Sequence, residues 1–208
     1  MAVTGFFLFV FVVAHMLGNF QIFMGPDALN DYAAHLKELP FLLWPARIFL
    51  LFVLVIHGVV AVQLAIQNRR ARPVSYAVED TVAASYASRT MMFSGIIILA
   101  FIVYHLLHFT FGKIHPEAFE LMDAKGREDV YRRVVLGFQD VRISLSYVFA
   151  MAVLCVHLSH GASSFFQSLG LSDERWADRF KACGMGVAVL IFVGNCLIPA
   201  SILLGWLK

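Results

Sequence analysis

Five stretches of the chain stay apolar long enough to cross a bilayer, and charge gathers mostly between them. They cover residues 1–24, 41–66, 91–111, 144–169 and 183–207. Each matches or exceeds the roughly 20 residues that a helix needs to cross a hydrocarbon core of ~30 Å. Transmembrane helices are the predicted form, because a helix satisfies its own backbone polar groups where water is absent. The loops 25–40, 67–90, 112–143 and 170–182 carry charge and are punctuated by Gly25-Pro26, Arg72-Pro73 and His115-Pro116. None has room for a separate soluble domain, so residues 1–208 are predicted to form one all-α integral membrane domain.

The first segment reads as a retained helix and not as a signal peptide. It has no basic leader and no small-residue cleavage site, and a histidine sits in its middle. Its abrupt apolar start suggests a short basic leader lost upstream. In the 112–143 loop, Val130, Val134 and Phe138 recur at four-residue spacing with Arg132 and Arg133 between them, which predicts a short interfacial helix.

Composition sharpens this picture. The chain is 60% hydrophobic and only 14% charged, against about 25% charged in soluble domains. The net charge of +2 selects no partner, and no basic patch interleaved with aromatics points to nucleic acid. Cys155, Cys183 and Cys196 all fall in or at the membrane segments without CxxC spacing, so they form neither a disulfide framework nor an iron-sulfur site. On the side of the N-terminus and loops 67–90 and 170–182 there are seven Lys/Arg and five acids, against nine and nine on the other. The cluster Arg69, Arg70 and Arg72 at one helix end nevertheless favours a cytoplasmic N-terminus.

The candidate chemistry comes from an internal repeat. Thr4-Gly5 precedes His15 by the same interval as Ser94-Gly95 precedes His105. Eleven residues are close to three helical turns, so segments one and three present the same face. Segments two and four carry His57 and His157, and segment five carries no histidine. An isolated intramembrane histidine most often bonds a carbonyl or lines a proton path, but four at corresponding positions of a duplicated hairpin point to a shared purpose. By depth, His15 pairs with His105 and His57 with His157, the pairs lying on the order of 10 Å apart along the membrane normal. Two imidazoles facing each other across a bundle suit the axial positions of a haem iron. With both positions filled, such a haem carries electrons and binds no substrate. The predicted fold is therefore five transmembrane helices, the first four forming a haem-binding bundle of two repeated hairpins. Gly18, Gly58 and Gly161 lie within a turn of these histidines, either making room for porphyrin or serving as small-residue helix contacts. The repeat selects His105 over His108, but leaves His157 and His160 open, because "HG" at 57–58 matches "HG" at 160–161.

The runs "AHMLGNFQIFMG", "RPVSYAVEDTVAASYASRTMMFSG", "YHLLHFTFGKIHP" and "GFQDVRISLSYVFAMAVLCVHLSHGASSFFQSLGL" resemble a known family over essentially the whole chain. It is the single-chain cytochrome b membrane anchor of bacterial succinate dehydrogenases and fumarate reductases, in the five-helix, dihaem form. The resemblance implies two haem b groups, held by His57 and His157 near the catalytic subunits and by His15 and His105 farther away. It prefers His157 to His160 because the family's ligand is followed by glycines at +4 and +13, here Gly161 and Gly170.

It further implies an anchor without a succinate site of its own, in the bacterial inner membrane. The anchor docks a flavoprotein subunit with FAD and an iron-sulfur subunit on its cytoplasmic face. Electrons then pass through the haems to or from a membrane quinone, menaquinone being favoured, and the complexes form dimers or trimers. The region of Arg69 and "ASYASRTMM" would meet the partner subunits, with Arg89, Tyr86 and Ser85 reaching haem propionates. Arg47 would snorkel or meet a propionate, the helix around Val130 would cap the far haem, and Glu38 with its neighbour His35 would serve the quinone. One departure is Cys155, where some relatives carry a glutamate proposed to conduct protons; a thiol with pKa near 8.5 is a poor substitute. The competing expectations are a cytochrome b subunit of a hydrogenase or formate dehydrogenase, a haem-free anchor, and a transporter with a histidine relay.

Overall fold

Apolar length sets the helices, and proline or charge sets their ends. A computed structural model describes residues 1–71, 86–173 and 175–208, and every named element among them is helical. Helix α1 (Ala2–Asn19) tightens into a 3₁₀ turn (Phe20–Met24), and α2 (Pro26–Glu38) starts on a proline whose missing N–H costs nothing at a first turn. Gly25 between them has φ 103°, a left-handed backbone that favours glycine. Helix α3 (Pro40–Arg70) crosses back, followed by the single turn α4 (Tyr86–Arg89) and by α5 (Met91–His105), which opens into a π-helical turn (Leu106–Thr110). After a 3₁₀ turn (Pro116–Phe119) come α6 (Val130–Gln139), α7 (Val141–Ser168) and α8 (Ala177–Leu203).

Five of these segments are long and apolar enough to cross a membrane: Ala2–Met24, Pro40–Arg70, Met91–Thr110, Val141–Ser168 and Ala177–Leu203. The chain is thus a multi-pass membrane protein. The last span starts six residues earlier than the 183–207 expected, taking in Asp178, Arg179 and Lys181 as its first turns. Helix α1 packs on α3 and α7, and α5 packs on α7 and α3. The four make a ring in which α1 stands opposite α5 and α3 opposite α7. Helix α8 lies outside this ring along α7, its most extensive contact.

The side opposite the N-terminus, here the far side, carries α2, residues 111–129 and α6. Helix α6 forms where the spacing of Val130, Val134 and Phe138 predicts one, capped by Asp129 accepting from Arg132 N at 3.0 Å. Its inward face is Tyr131, Val135 and Phe138. Arg133, expected on the polar face, is buried instead: its guanidinium lies 3.7 Å from the Phe119 ring centre and donates to Glu128 at 3.0 Å. Pairing cation, aromatic face and carboxylate makes that burial tolerable. Ser144 Oγ donates to Phe138 O at 2.6 Å and fastens α6 to α7.

Ion pairs hold α2 onto this layer. Arg127, with 15% of its side chain exposed, donates to Asp123 through Nε at 2.7 Å and to Asp27 at 2.8 Å, and also meets Asp31. The Arg127 guanidinium holds the Asp123 carboxyl below the usual carboxylate range; Lys125 does the same for Asp27, and Lys37 for Glu128. A carboxylate whose folded pKa is depressed stabilises the fold above its unfolded value, near 4, and that contribution is lost as pH falls toward the folded value. Attachment of α2 is therefore expected to be complete at neutral pH and to loosen below about pH 4. Hydrogen exchange of amides 27–31 and 123–131, corrected for intrinsic rate, measures it: faster opening at pH 3 than at pH 7 is expected, and equal opening contradicts it.

Candidate functional site: two histidine pairs

The ring of helices brings four histidines together as two pairs on opposite helices. His15 on α1 and His105 on α5 have ring centres 5.7 Å apart with planes at 89°. His57 on α3 and His157 on α7 stand 6.5 Å apart at 59°. The pairs occupy different levels. His57 lies beside Thr4 and His157 beside Ser94, and each hydroxyl is eleven residues from the histidine on its own helix. At 1.5 Å per residue the pairs are about 16 Å apart, farther than the ~10 Å expected from depth in the sequence.

Proton counting assigns the nitrogen each near-side histidine offers. Thr4 Oγ1 lies 2.8 Å from Met1 O, to which it donates, and 3.1 Å from His57 Nδ1. With its one proton on the carbonyl it accepts from His57, which then carries its proton on Nδ1 and presents an unprotonated Nε2. Ser94 repeats the arrangement, donating to Met91 O at 3.0 Å and standing 3.0 Å from His157 Nδ1. The glycine after each hydroxyl packs against the ring: a Cβ at Gly5 would lie 3.4 Å from His57 Cε1 and at Gly95 3.7 Å from His157 Cε1, ordinary contact that a side chain larger than alanine would exceed. Each repeated Thr-Gly or Ser-Gly dipeptide thus orients the histidine of the following span and not the one on its own helix. Valine at Gly5 is expected to push His57 aside and to lose whatever the near pair holds while the far pair stays intact, a separation that metal or cofactor quantification of the variant would show.

The neighbouring histidines are engaged elsewhere. His108, 1% exposed, has Nδ1 3.0 Å from Tyr147 Oη and Nε2 3.2 Å from His115 Nδ1. His160 Nε2 is 3.0 Å from Ser164 Oγ. Around His105 stand Phe101, Phe109 and Tyr147, and Phe11 stacks on His15 at 5.4 Å. Tyr147 and Phe109 also touch Phe138 of α6, so the far-side layer packs directly against the shell of the far pair.

Two histidines are too few for a bare metal ion, and no group of three or more His, Cys, Asp or Glu that could hold one occurs among the described residues. A metal whose remaining ligands come from a macrocycle asks for two imidazoles only. With a metal–nitrogen distance of about 2 Å and a nitrogen about 1 Å from the ring centre, imidazoles on opposite sides of one ion have centres about 6 Å apart. The observed 5.7 and 6.5 Å bracket that separation. The helices carrying three of the four histidines bury few side chains, none on α1, only Val53 on α3 and only Ser94 on α5, as expected of spans that turn most of their surface to lipid.

The other candidate residues lie apart from the pairs. Glu38 and His35 are 3.9 Å from each other on α2, with side chains 75% and 72% exposed. Arg47 is exposed with its guanidinium 5.3 Å from the Trp44 ring centre. Tyr86 and Arg89 are exposed on α4, and Ser85 lies outside the described residues. Gly18 makes room for Tyr32, whose hydroxyl would lie 2.6 Å from a Cβ there, whereas Cβ atoms at Gly58 and Gly161 would meet nothing within 4 Å. Cys155 is a free thiol, half-buried on α7 two residues before His157. Sequence reasoning missed Tyr147 and the roles of Thr4 and Ser94. No family model, curated protein or solved structure matches the chain.

Proposed function

We propose that the chain is the dihaem cytochrome b anchor of a bacterial succinate:quinone oxidoreductase, His15 and His105 holding one haem b and His57 and His157 the other. The observation that carries this reading is the pairing itself: two sets of opposed imidazoles at metal-sharing distance, each without a third ligand among the described residues. His15 with His105 and His57 with His157 would each hold a haem, which would supply one-electron exchange there. The chain's own residues bind and orient: Thr4 and Ser94 set the tautomer of the near pair, and the aromatic shell of Phe101, Phe109 and Tyr147 positions His105. The two histidine pairs, about 16 Å apart by helical rise, would set such groups at successive levels of the membrane.

On this reading the flavoprotein and iron-sulfur subunits dock on the N-terminal side, beside α4 and the basic end of α3, and that side faces the cytoplasm. A quinone, menaquinone in preference to ubiquinone, would exchange electrons at the far side, with the exposed Glu38 and His35 as the candidates to exchange its protons. The assembled complex is a dimer or trimer of the whole enzyme.

The test is haem content of the purified protein, by pyridine haemochrome and by a reduced-minus-oxidised spectrum, together with the subunits that copurify. Two low-spin b haems per chain with flavin and iron-sulfur subunits are expected. Haem with other partners would instead assign the chain to a hydrogenase or formate dehydrogenase, and a folded, colourless protein would overturn the haem reading.

A further inference from the structure

The near-side histidines end their hydrogen bonds on backbone carbonyls, one residue away through Thr4 or Ser94. His105 does not. Its Nδ1 lies 3.4 Å from Tyr147 Oη, which lies 3.0 Å from His108 Nδ1, and His108 Nε2 lies 3.2 Å from His115 Nδ1. We propose that Tyr147, His108 and His115 form a hydrogen-bonded relay that locks the proton of His105 on Nδ1 and links the far pair to the extramembrane loop. The proposal rests on the haem reading of the preceding section.

The polarity of this relay follows from counting protons. For His105 to present a bare Nε2 toward His15, its proton sits on Nδ1 and is donated to Tyr147. The single phenolic proton of Tyr147 then goes to His108 Nδ1. His108, neutral, keeps its own proton on Nε2 and donates it to His115 Nδ1. Every donor from His105 to His108 has an acceptor, and no group carries charge. The opposite polarity would place a proton on His105 Nε2, so groups as distant as the loop favour the tautomer that suits metal binding without being required for it. Water offers no alternative partner, because Tyr147 and His108 are both buried. Room for His108 comes from Gly137 on α6: a Cβ there would lie 2.9 Å from His108 Nε2. Tyr147 and His108 are thus positioning residues acting through His105. An outer partner accepting from an imidazole raises the basicity of its ligating nitrogen, which favours the oxidised metal.

A redox titration of the haem-loaded protein tests this, with the far haem identified as the step missing in His105→Leu. Tyr147→Phe keeps the ring and removes the acceptor. Two haems are expected to remain, with the far one easier to reduce by about tenfold in reduced-to-oxidised ratio at fixed potential, equivalent to about 59 mV for one electron. The near step is expected to stay in place. Gly137→Ala, whose Cβ would meet His108 at 2.9 Å and the Phe109 ring at 3.2 Å, is expected to move the same step in the same direction by displacing His108, whereas Ser94→Ala moves the near step instead. Two haems with the far step unmoved in both Tyr147→Phe and Gly137→Ala would overturn the relay and leave the haem reading standing. A wild-type protein without haem would overturn both.

Discussion

Replacing His105 with leucine is expected to lower the b-haem content of the purified protein from two per chain to one, whereas glutamine at His108 or His160 leaves both in place. The contrast matters because all three are intramembrane histidines on spans that carry a proposed ligand, and content alone separates the roles. His105 stands 5.7 Å from the His15 ring centre, with its Nδ1 turned toward Tyr147 and Nε2 left for the pair. Leucine fills the space among Phe101, Phe109 and Tyr147 but offers no lone pair. His108, three residues on, does not take over, since both of its nitrogens are already engaged. His160 likewise spends its Nε2 on Ser164, and His157 directly faces His57. Pyridine haemochrome on each variant decides the matter. Loss of haem in His108→Gln or His160→Gln with retention in His105→Leu would reassign the ligands.

Much of the architecture was legible because it is local. Span length follows from uninterrupted apolarity, and the predicted starts and ends fall within a few residues of the helices, apart from the first turns of α8, where Asp178, Arg179 and Lys181 disguise an otherwise apolar helix. The pairing of histidines by depth was legible because a duplicated hairpin repeats the same register. The partners of Thr4 and Ser94 were not. Helical spacing places Thr4 on the face of His15, which holds, yet the atom it bonds belongs to α3, fifty-three residues away. No periodicity within one helix reveals which face of the neighbour it meets.

The same limit explains Arg133 and the far-side ion pairs. An arginine between valines on an amphipathic helix reads as solvated until Phe119 and Glu128, both upstream, close over it. Tyr147 was illegible for a further reason. A tyrosine on an apolar helix signals membrane interface or core, and only the convergence of α5 and α7 turns its hydroxyl into the acceptor for His105. No spacing on α7 sets it apart, so nothing within the sequence singles it out.

Replacing Asn30 with alanine is expected to destabilise the far-side layer by about 3 kcal/mol, and with aspartate by more. Asn30 is 1% exposed on α2 and joins three chain segments through one amide. Its Nδ2 donates to Asp123 at 3.3 Å and to Asp129 at 3.2 Å, while its Oδ1 accepts from Tyr131 N at 2.9 Å. Alanine leaves the buried Tyr131 N–H without a partner, a cost of about 1–3 kcal/mol, and removes two charge-assisted bonds. The loss is moderated because Asp123 keeps Arg127 and Asp129 keeps the Arg132 N–H. Aspartate has nearly the same shape but turns a donor into a third carboxylate oxygen facing two others. Thermal unfolding in detergent and hydrogen exchange across residues 123–138 would measure both variants. The readout extends to the proposed function because Phe138 of α6 rests on Phe109 and Tyr147: if the two pairs hold haem as proposed, a loosened layer should broaden the spectrum of the one at the far pair and leave the other sharp. Equal stability of Asn30→Ala and wild type would mean that the surrounding ion pairs alone hold α2 in place, and that the amide merely fills the space between them.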